Sequence, residues 1–150
     1  MKVEIKVDTS KLDQMAANFP AAVERAKRRA LQDVGQAVAS RATMAFRTAA
    51  MRPSPWAPRK PSKRDDGHPL MIRSGALRQS IGWKFKGADA VVVGTDKKYA
   101  VHHQFGTKHM PARPFMPVDT AGRLTPQMSQ KISRIVEKSL SDELAGIGLQ

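Results

Sequence analysis

The sequence predicts an α+β fold, in which a small antiparallel sheet packs against one long helix and a C-terminal helix. Residues 2–7 alternate charged and aliphatic side chains, as expected for a strand with one buried face. Apolar residues recur every three or four positions from 19 to 45 and again from 128 to 144, as along two amphipathic helices. Two strand patterns lie close together between these helices. Neighbouring strands with helices gathered around them are typical of this fold class, and a chain of 150 residues (1–150) favours a single domain.

The long helix is predicted to begin at Pro20, because proline fits the first turn of a helix, and to end near Met51. Gly35 should weaken its middle by about 1 kcal/mol relative to alanine. Before this helix, Thr9 or Ser10 could cap a short helix that ends at Met15. The apolar stripe of the long helix consists of Phe19, Val23, Ala26, Ala30, Val34, Val38, Ala42 and Ala45.

Residues 52–69 are predicted to form an extended basic loop, because proline excludes regular helix and sheet pairing and four prolines fall within nine residues. Trp56 is the one large apolar side chain of this segment, so we expect it to attach the loop to the body of the protein. Long loops in compact domains are usually functional or disordered. The composition therefore predicts that residues 52–64 are mobile in the free subunit and ordered by a partner.

The second half of the chain supplies the rest of the sheet. Ser74 is predicted to cap a short helix that ends at Ile81. Alternating aromatic residues and lysines at 83–86, and an aliphatic run at 90–93, predict two strands joined by a turn. Residues 99–105 could form either one helical turn or a short strand, since periodicity does not separate the two.

The last third of the chain is predicted to be extended and then helical. Three prolines make residues 110–118 extended. Residues 119–150 should form a C-terminal helix and tail. Thr125 and Pro126 are cap and first-turn signals for this helix, which should end near Leu144.

Positive charge is concentrated in less than a third of the chain. The formal net charge is +13, and residues 41–86 contribute +9 of it, with eleven basic and two acidic residues. Such a field suits a polyanion or an acidic protein surface, although a solvated basic loop is the alternative. The candidate residues that would face a partner or DNA are Arg52, Arg59, Lys60, Lys63 and Arg64.

The residues that enzymes and cofactors need are not arranged in any recognisable pattern. The absence of cysteine excludes disulfides and thiol chemistry, and the four histidines lack metal-ligand spacing. Asp65 and Asp66 are adjacent in a basic loop, where counter-charges are more usual than a nuclease site. We expect no enzyme, cofactor or metal, and no signal peptide or membrane span, so a protein made inside the cell.

Five segments that follow one another along the chain are its most distinctive feature. They are Trp56, Ser74-Gly75-Ala76-Leu77 with Ser80-Ile81, Val93-Gly94, Tyr99-Ala100 with His103-Gln104-Phe105-Gly106, and Ala112-Arg113-Pro114-Phe115. In this order they resemble the phage virion morphogenesis family, the tail-completion and head–tail joining proteins of tailed bacteriophages. The resemblance covers residues 56–118, and the flanking helices match in order only. Ser74 stands where the family commonly has threonine, and Pro117 where a small residue often follows.

The resemblance implies a structural virion protein at the head–tail junction or upper tail. Such proteins assemble as rings, with six copies expected, that complete the tail or join it to the head while DNA passes through the lumen. The implied partners are further copies of the chain and the neighbouring neck, portal-connector and tail-tube proteins, with non-specific contact to packaged DNA and none to membrane. The loop 52–64 would meet an acidic connector partner or line the DNA path. The alternative is a stand-alone basic nucleic-acid-binding accessory protein.

The motif residues also have expected structural roles. Tyr99, Phe105 and Phe115 are candidate core or interface anchors, and we expect Phe105 and Phe115 each to fill an interior site. Gly106, like Gly94, suits a positive φ or a close backbone approach. Arg113 could bind backbone carbonyls or reach a neighbouring subunit, where its loss would impair assembly without lowering the stability of the isolated fold.

Overall fold

A computed structural model describes residues 1–8, 10, 17, 19–62, 67–146 and 148. The predicted α+β fold is confirmed, with a three-stranded antiparallel sheet, a long helix and a C-terminal helix. The elements are β1 (Lys2–Lys6), α1 (Pro20–Ala45), a 3-10 turn (Ala49–Met51), α2 (Ala76–Gln79), β2 (Gly82–Lys86), β3 (Ala90–Gly94), α3 (Ala100–Phe105) and α4 (Pro126–Gly146). None of the described helices is both long and apolar enough to cross a membrane.

The sheet has the order β1-β3-β2, so that β3 pairs with an antiparallel neighbour on each side. Its register aligns Ile5 with Val91, and Val91 with Phe85, on one face. Side chains alternate between the two faces of a strand, and α1 covers this apolar face, which leaves Val91 and Val93 fully buried. The opposite face carries the exposed side chains of Lys2, Glu4, Lys6, Lys84 and Lys86.

Helix α1 packs its predicted apolar stripe against the sheet and α4. Phe19 is the exception within the predicted stripe, because it occupies the N-cap position and remains 38% exposed. The helix begins at Pro20 as predicted but ends at Ala45, before the predicted Met51. Phe46 then turns into the core, where its ring lies 5.3 Å from that of Phe115.

The close approach of the sheet to α1 depends on Gly35. A Cβ atom at this position would lie 2.6 Å from two ring carbons of Trp83, well inside van der Waals contact. Glycine in a helix is unfavourable by about 1 kcal/mol relative to alanine. Because the indole occupies the space above it, this glycine contributes a packing surface that alanine cannot.

The shorter elements differ in detail from their predicted bounds. The helix predicted to follow Ser74 is a single turn, with Gly75 rather than Ser74 at its N-cap in the left-handed conformation (φ 76°). The Ser74 hydroxyl still accepts a hydrogen bond from the Ala76 N–H at 3.3 Å. Residues 99–105, left open between helix and strand, form α3. The short helix predicted to end at Met15 lies outside the described residues.

Candidate functional site

The centre of the candidate site is Gln104, a side chain of α3 that is only 2% exposed. Its Oε1 accepts hydrogen bonds from the backbone N–H groups of Phe115 and Met116, both at 3.0 Å. Its Nε2 donates to the Met116 carbonyl at 3.2 Å. The amide is therefore satisfied at both ends, and it holds the extended segment that contains Phe115 against α3.

Trp56 attaches the proline-rich loop to the same segment. Its indole is 9% exposed, and its Nε1 donates a hydrogen bond of 2.7 Å to the Pro114 carbonyl. The ring also meets that of Phe46 edge-on, with centroids 5.8 Å apart. An indole with an apolar body and one satisfied donor suits a site at the edge of a core. The structure thus brings the tryptophan and the Pro114 motif together, although 58 residues separate them in the chain.

Arg113 makes a second attachment between these two segments. Its Nε donates to the Ala57 carbonyl at 2.9 Å and its Nη2 to the Pro58 carbonyl at 3.1 Å. Its own backbone N–H donates to the His103 carbonyl at 2.7 Å. Of the two roles considered for Arg113, the structure places its guanidinium on carbonyls of its own chain. Two of the five guanidinium N–H groups therefore bind carbonyls of the same chain, which agrees with the first role, and a contact with a neighbouring subunit stays a prediction.

The basic residues of the loop are not a uniform outward-facing array. Arg52 donates from Nε to the Ala45 carbonyl at 2.8 Å, and its guanidinium carbon lies 3.9 Å from the centre of a Trp56 ring. Arg59 donates from Nη2 to the His68 carbonyl at 2.7 Å. Both side chains are half-buried, whereas Lys60 is exposed.

Lys63 and Arg64, the other two candidates for a DNA or partner contact, lie outside the described residues. The contacts of Arg52, Trp56 and Arg113 restrain the first part of the loop more than its composition suggested. Mobility of the loop in the free subunit, and its ordering by a partner, stay predictions.

Two glycines of the motifs occupy backbone conformations that side chains disfavour. Gly106 ends α3 with φ 74°, and a Cβ there would lie 2.8 Å from the Ala112 backbone nitrogen. Gly75 begins α2 with φ 76° and places Leu77, which is 5% exposed, in the core. Both glycines therefore allow turns that position the motif segments. At Gly106 the close approach of the Ala112 backbone is a second reason for glycine.

The aromatic side chains of the motifs are divided between core and surface. Phe115 is fully buried, as expected. The expectation that Phe105 fills an interior site is wrong, because its side chain is 40% exposed, and Tyr99 is 43% exposed. The reason is the helical periodicity of α3, which turns Ala100 and Gln104 inward instead.

Gln104 is the residue of this site whose burial the sequence analysis did not predict. Its polar side chain gave no signal for burial, because glutamine is usually exposed. The usable signal was its spacing of four residues from Ala100, which puts both on one face if residues 99–105 are helical.

The titratable groups near the site include His102, His103 and the guanidinium of Arg113. Burial, and then the charges of Arg113 and His102, lower the pKa of His103, which favours its neutral form. Within the part of the chain that the structure describes, no three His, Asp or Glu side chains lie together as metal ligands would. The hydrogen bonds of the site hold chain segments in position, and other side chains of the motifs are exposed at the surface.

Comparison with known proteins agrees with this picture of linked motif segments. A model of the phage virion morphogenesis family matches residues 7–141, which is most of the chain. The chain belongs to the phage virion morphogenesis family. Searches of curated proteins and of solved structures each returned no significant match.

Membership of the phage virion morphogenesis family gives the chain a structural and assembly role in a phage and an association with the virion. The family match extends beyond the motif region of residues 56–118 to include all of α1 and most of α4. The elements that flank the motifs are therefore part of the family domain. A structural role agrees with a site whose side chains join backbone segments by hydrogen bonds.

Proposed function

We propose that this protein completes the tail of a tailed bacteriophage or joins it to the head, as one subunit of a ring at the head–tail junction. The observation that carries the proposal is the family match over residues 7–141. The structure adds support of a physical kind, because Gln104, Trp56 and Arg113 join three separate chain segments through hydrogen bonds. Segments joined in this way suit a permanent structural contact, since the hydrogen bonds reduce the conformational freedom that is lost on assembly.

The proposed ring contains six copies and surrounds the path of the DNA. A closed ring requires a heterologous contact, in which one surface of a subunit meets a different surface of the next. The partners above and below the ring would be portal-connector, neck and tail-tube proteins. The concentration of positive charge at residues 41–86 supports a role for the loop 52–64 against an acidic partner or the phosphate backbone.

A phage that lacks the gene tests this function. The expected result is an accumulation of unjoined heads and tails in electron micrographs, with joining restored when the protein is supplied from a plasmid. Mass spectrometry of purified wild-type particles should detect the protein in a ring-sized copy number. Intact infectious particles without the protein would contradict the proposal.

Stand-alone nucleic-acid binding is the second candidate function, and the net charge of +13 is the observation that favours it. Binding to double-stranded DNA would then weaken steeply as salt rises, because each neutralised phosphate releases counterions. A monomer that binds DNA in this way but is absent from virions would favour the second candidate over the first.

A further inference from the structure

The outward side of α3 is an apolar surface. Tyr99 is 43% exposed, Val101 39% and Phe105 40%, and these are three of the five large apolar side chains exposed in the described part of the chain. They fall within seven consecutive residues. Single exposed apolar residues are common on proteins, but a group of them on one helix marks an interaction surface.

Helical geometry explains why these side chains share one side. Successive residues of a helix are about 100° apart, and α3 buries Ala100 and Gln104. The outward arc then carries Val101, Phe105, His102 and Tyr99 in order, with no lysine, arginine, aspartate or glutamate among them. In a chain of which 26% is charged, an exposed helical side without one such residue differs from the usual solvated helix surface.

The surface is also held in place. A six-residue helix is unstable by itself, but the Gln104 amide ties α3 to the Phe115–Met116 backbone, and the Arg113 N–H bonds to the His103 carbonyl. The ring of Tyr99 meets that of His103 edge-on, with centroids 5.9 Å apart. A preorganised apolar surface binds a partner with a smaller loss of conformational entropy.

Exposed lysines flank this surface along the chain. Residues 97–118 contain four basic residues and no acidic one. Lys98 directly precedes Tyr99, and Lys108 follows Phe105 at the tip of a turn closed by the Thr107–Met110 bridge, with both lysines exposed. An apolar centre flanked by lysines is complementary to an apolar patch flanked by carboxylates.

We propose that the outward side of α3 is the docking surface for an acidic protein of the virion, whose apolar patch covers Val101 and Phe105 and whose carboxylates meet Lys98 and Lys108. This inference rests on the proposed function, because it assigns one contact of the joining protein. Double-stranded DNA presents phosphates but no apolar patch to cover Phe105. A second copy is a poorer occupant, since the chain carries 26 basic and 13 acidic residues.

An in vitro joining assay tests the proposal. Extracts from a phage that lacks the gene, containing heads and tails, are supplemented with purified protein, and infectious particles are counted. The double variant V101S/F105S should restore joining about tenfold less well than the wild type, as is usual when anchors of an interface are removed. Met44→Ser is the matched control, because Met44 is 46% exposed on α1, and it should restore joining fully.

The charge-reversal variant K98E/K108E provides the second arm, since both side chains are exposed and its fold is not at risk. It should also lower joining about tenfold, through loss of attraction to carboxylates. Failure of the wild-type protein to restore joining would overturn the proposed function itself. Restoration by the wild type and equally by V101S/F105S or by K98E/K108E would overturn the docking surface alone.

Two further measurements identify a wrong occupant. Sedimentation of the purified protein would overturn the proposal if V101S/F105S abolished self-association while Met44→Ser preserved it, because the occupant would then be a second copy. A 30-bp random duplex is the nucleic-acid probe. Weaker binding of this duplex by V101S/F105S than by Met44→Ser would assign the surface to DNA and overturn the proposal as well.

Discussion

At the scale of single residues, the site depends on polar side chains that bind backbone groups. Gln104 and Arg113 each satisfy carbonyls or N–H groups of segments distant in sequence, and the Trp56 indole does the same at Pro114. Such contacts need a definite side-chain geometry, so that even conservative replacements break them. Substitutions at these residues therefore test whether the side-chain hydrogen bonds hold the motif segments together.

Gln104→Ala should lower the free energy of unfolding by about 3 kcal/mol, because it leaves buried N–H groups of Phe115 and Met116 without an acceptor. Urea denaturation followed by circular dichroism measures this loss. Gln130→Ala, at an exposed position of α4, is the control and should change stability by less than about 0.5 kcal/mol. Equal effects of the two substitutions would show that the amide does not hold the segment.

Arg113→Ala should release the loop while the core stays folded. The substitution removes the hydrogen bonds to the Ala57 and Pro58 carbonyls, so trypsin should cut after Arg59 several-fold faster than in the wild type, since local opening governs cleavage. Fragment masses locate the cuts. Arg134→Ala, an exposed arginine of α4, should leave the cleavage rate unchanged, and a similar acceleration in both variants would contradict the attachment.

At the scale of elements, packing against α1 and α3 decides which apolar residues contribute to stability. The sheet approaches α1 through Gly35, and the short helix α3 turns only Ala100 and Gln104 inward. Two aromatic residues of neighbouring motifs, Phe105 and Phe115, therefore have opposite surroundings. Residue type alone did not distinguish them.

Phe115→Ala should destabilise the domain by about 3–5 kcal/mol, because a fully buried ring is replaced by a cavity beside Phe46. Phe105→Ala should cost less, about 1–2 kcal/mol, since Phe105 is already 40% exposed to water. Thermal melting of the two variants measures the difference. A comparable fall in melting temperature for both variants would indicate that Phe105 contributes to the core as Phe115 does.

Gly35→Ala should destabilise the protein, although alanine favours a helix by about 1 kcal/mol. The added methyl group would lie 2.6 Å from ring carbons of Trp83, and displacing a packed ring typically costs about 1–3 kcal/mol. Chemical denaturation gives the sign. In the double variant G35A/W83L the clash is removed, so alanine should there be tolerated better than in the wild-type background; a stabilised single variant would contradict the packing argument.

At the scale of the whole molecule, much of the architecture followed from local patterns. Alternation at residues 2–7, the apolar stripe that begins after Pro20 and the cap signal at Thr125 each correspond to an element of the structure. The Thr125 hydroxyl accepts from the Met128 N–H at 3.4 Å, as an N-cap does. These features depend on neighbours within a few residues, and such information is fully contained in the order of amino acids.

Strand order, loop attachment and the exposure of α3 were decided at longer range. The placement of β3 between β1 and β2 pairs residues about 90 positions apart, as between Lys2 and Gly94, and no local pattern encodes that choice. The same holds for Trp56 at Pro114 and for Arg113 at Ala57, whose partners come close only after the core has formed. Short-range chemistry sets the elements of this protein, whereas the surfaces that it leaves exposed arise from how those elements pack together and exclude water.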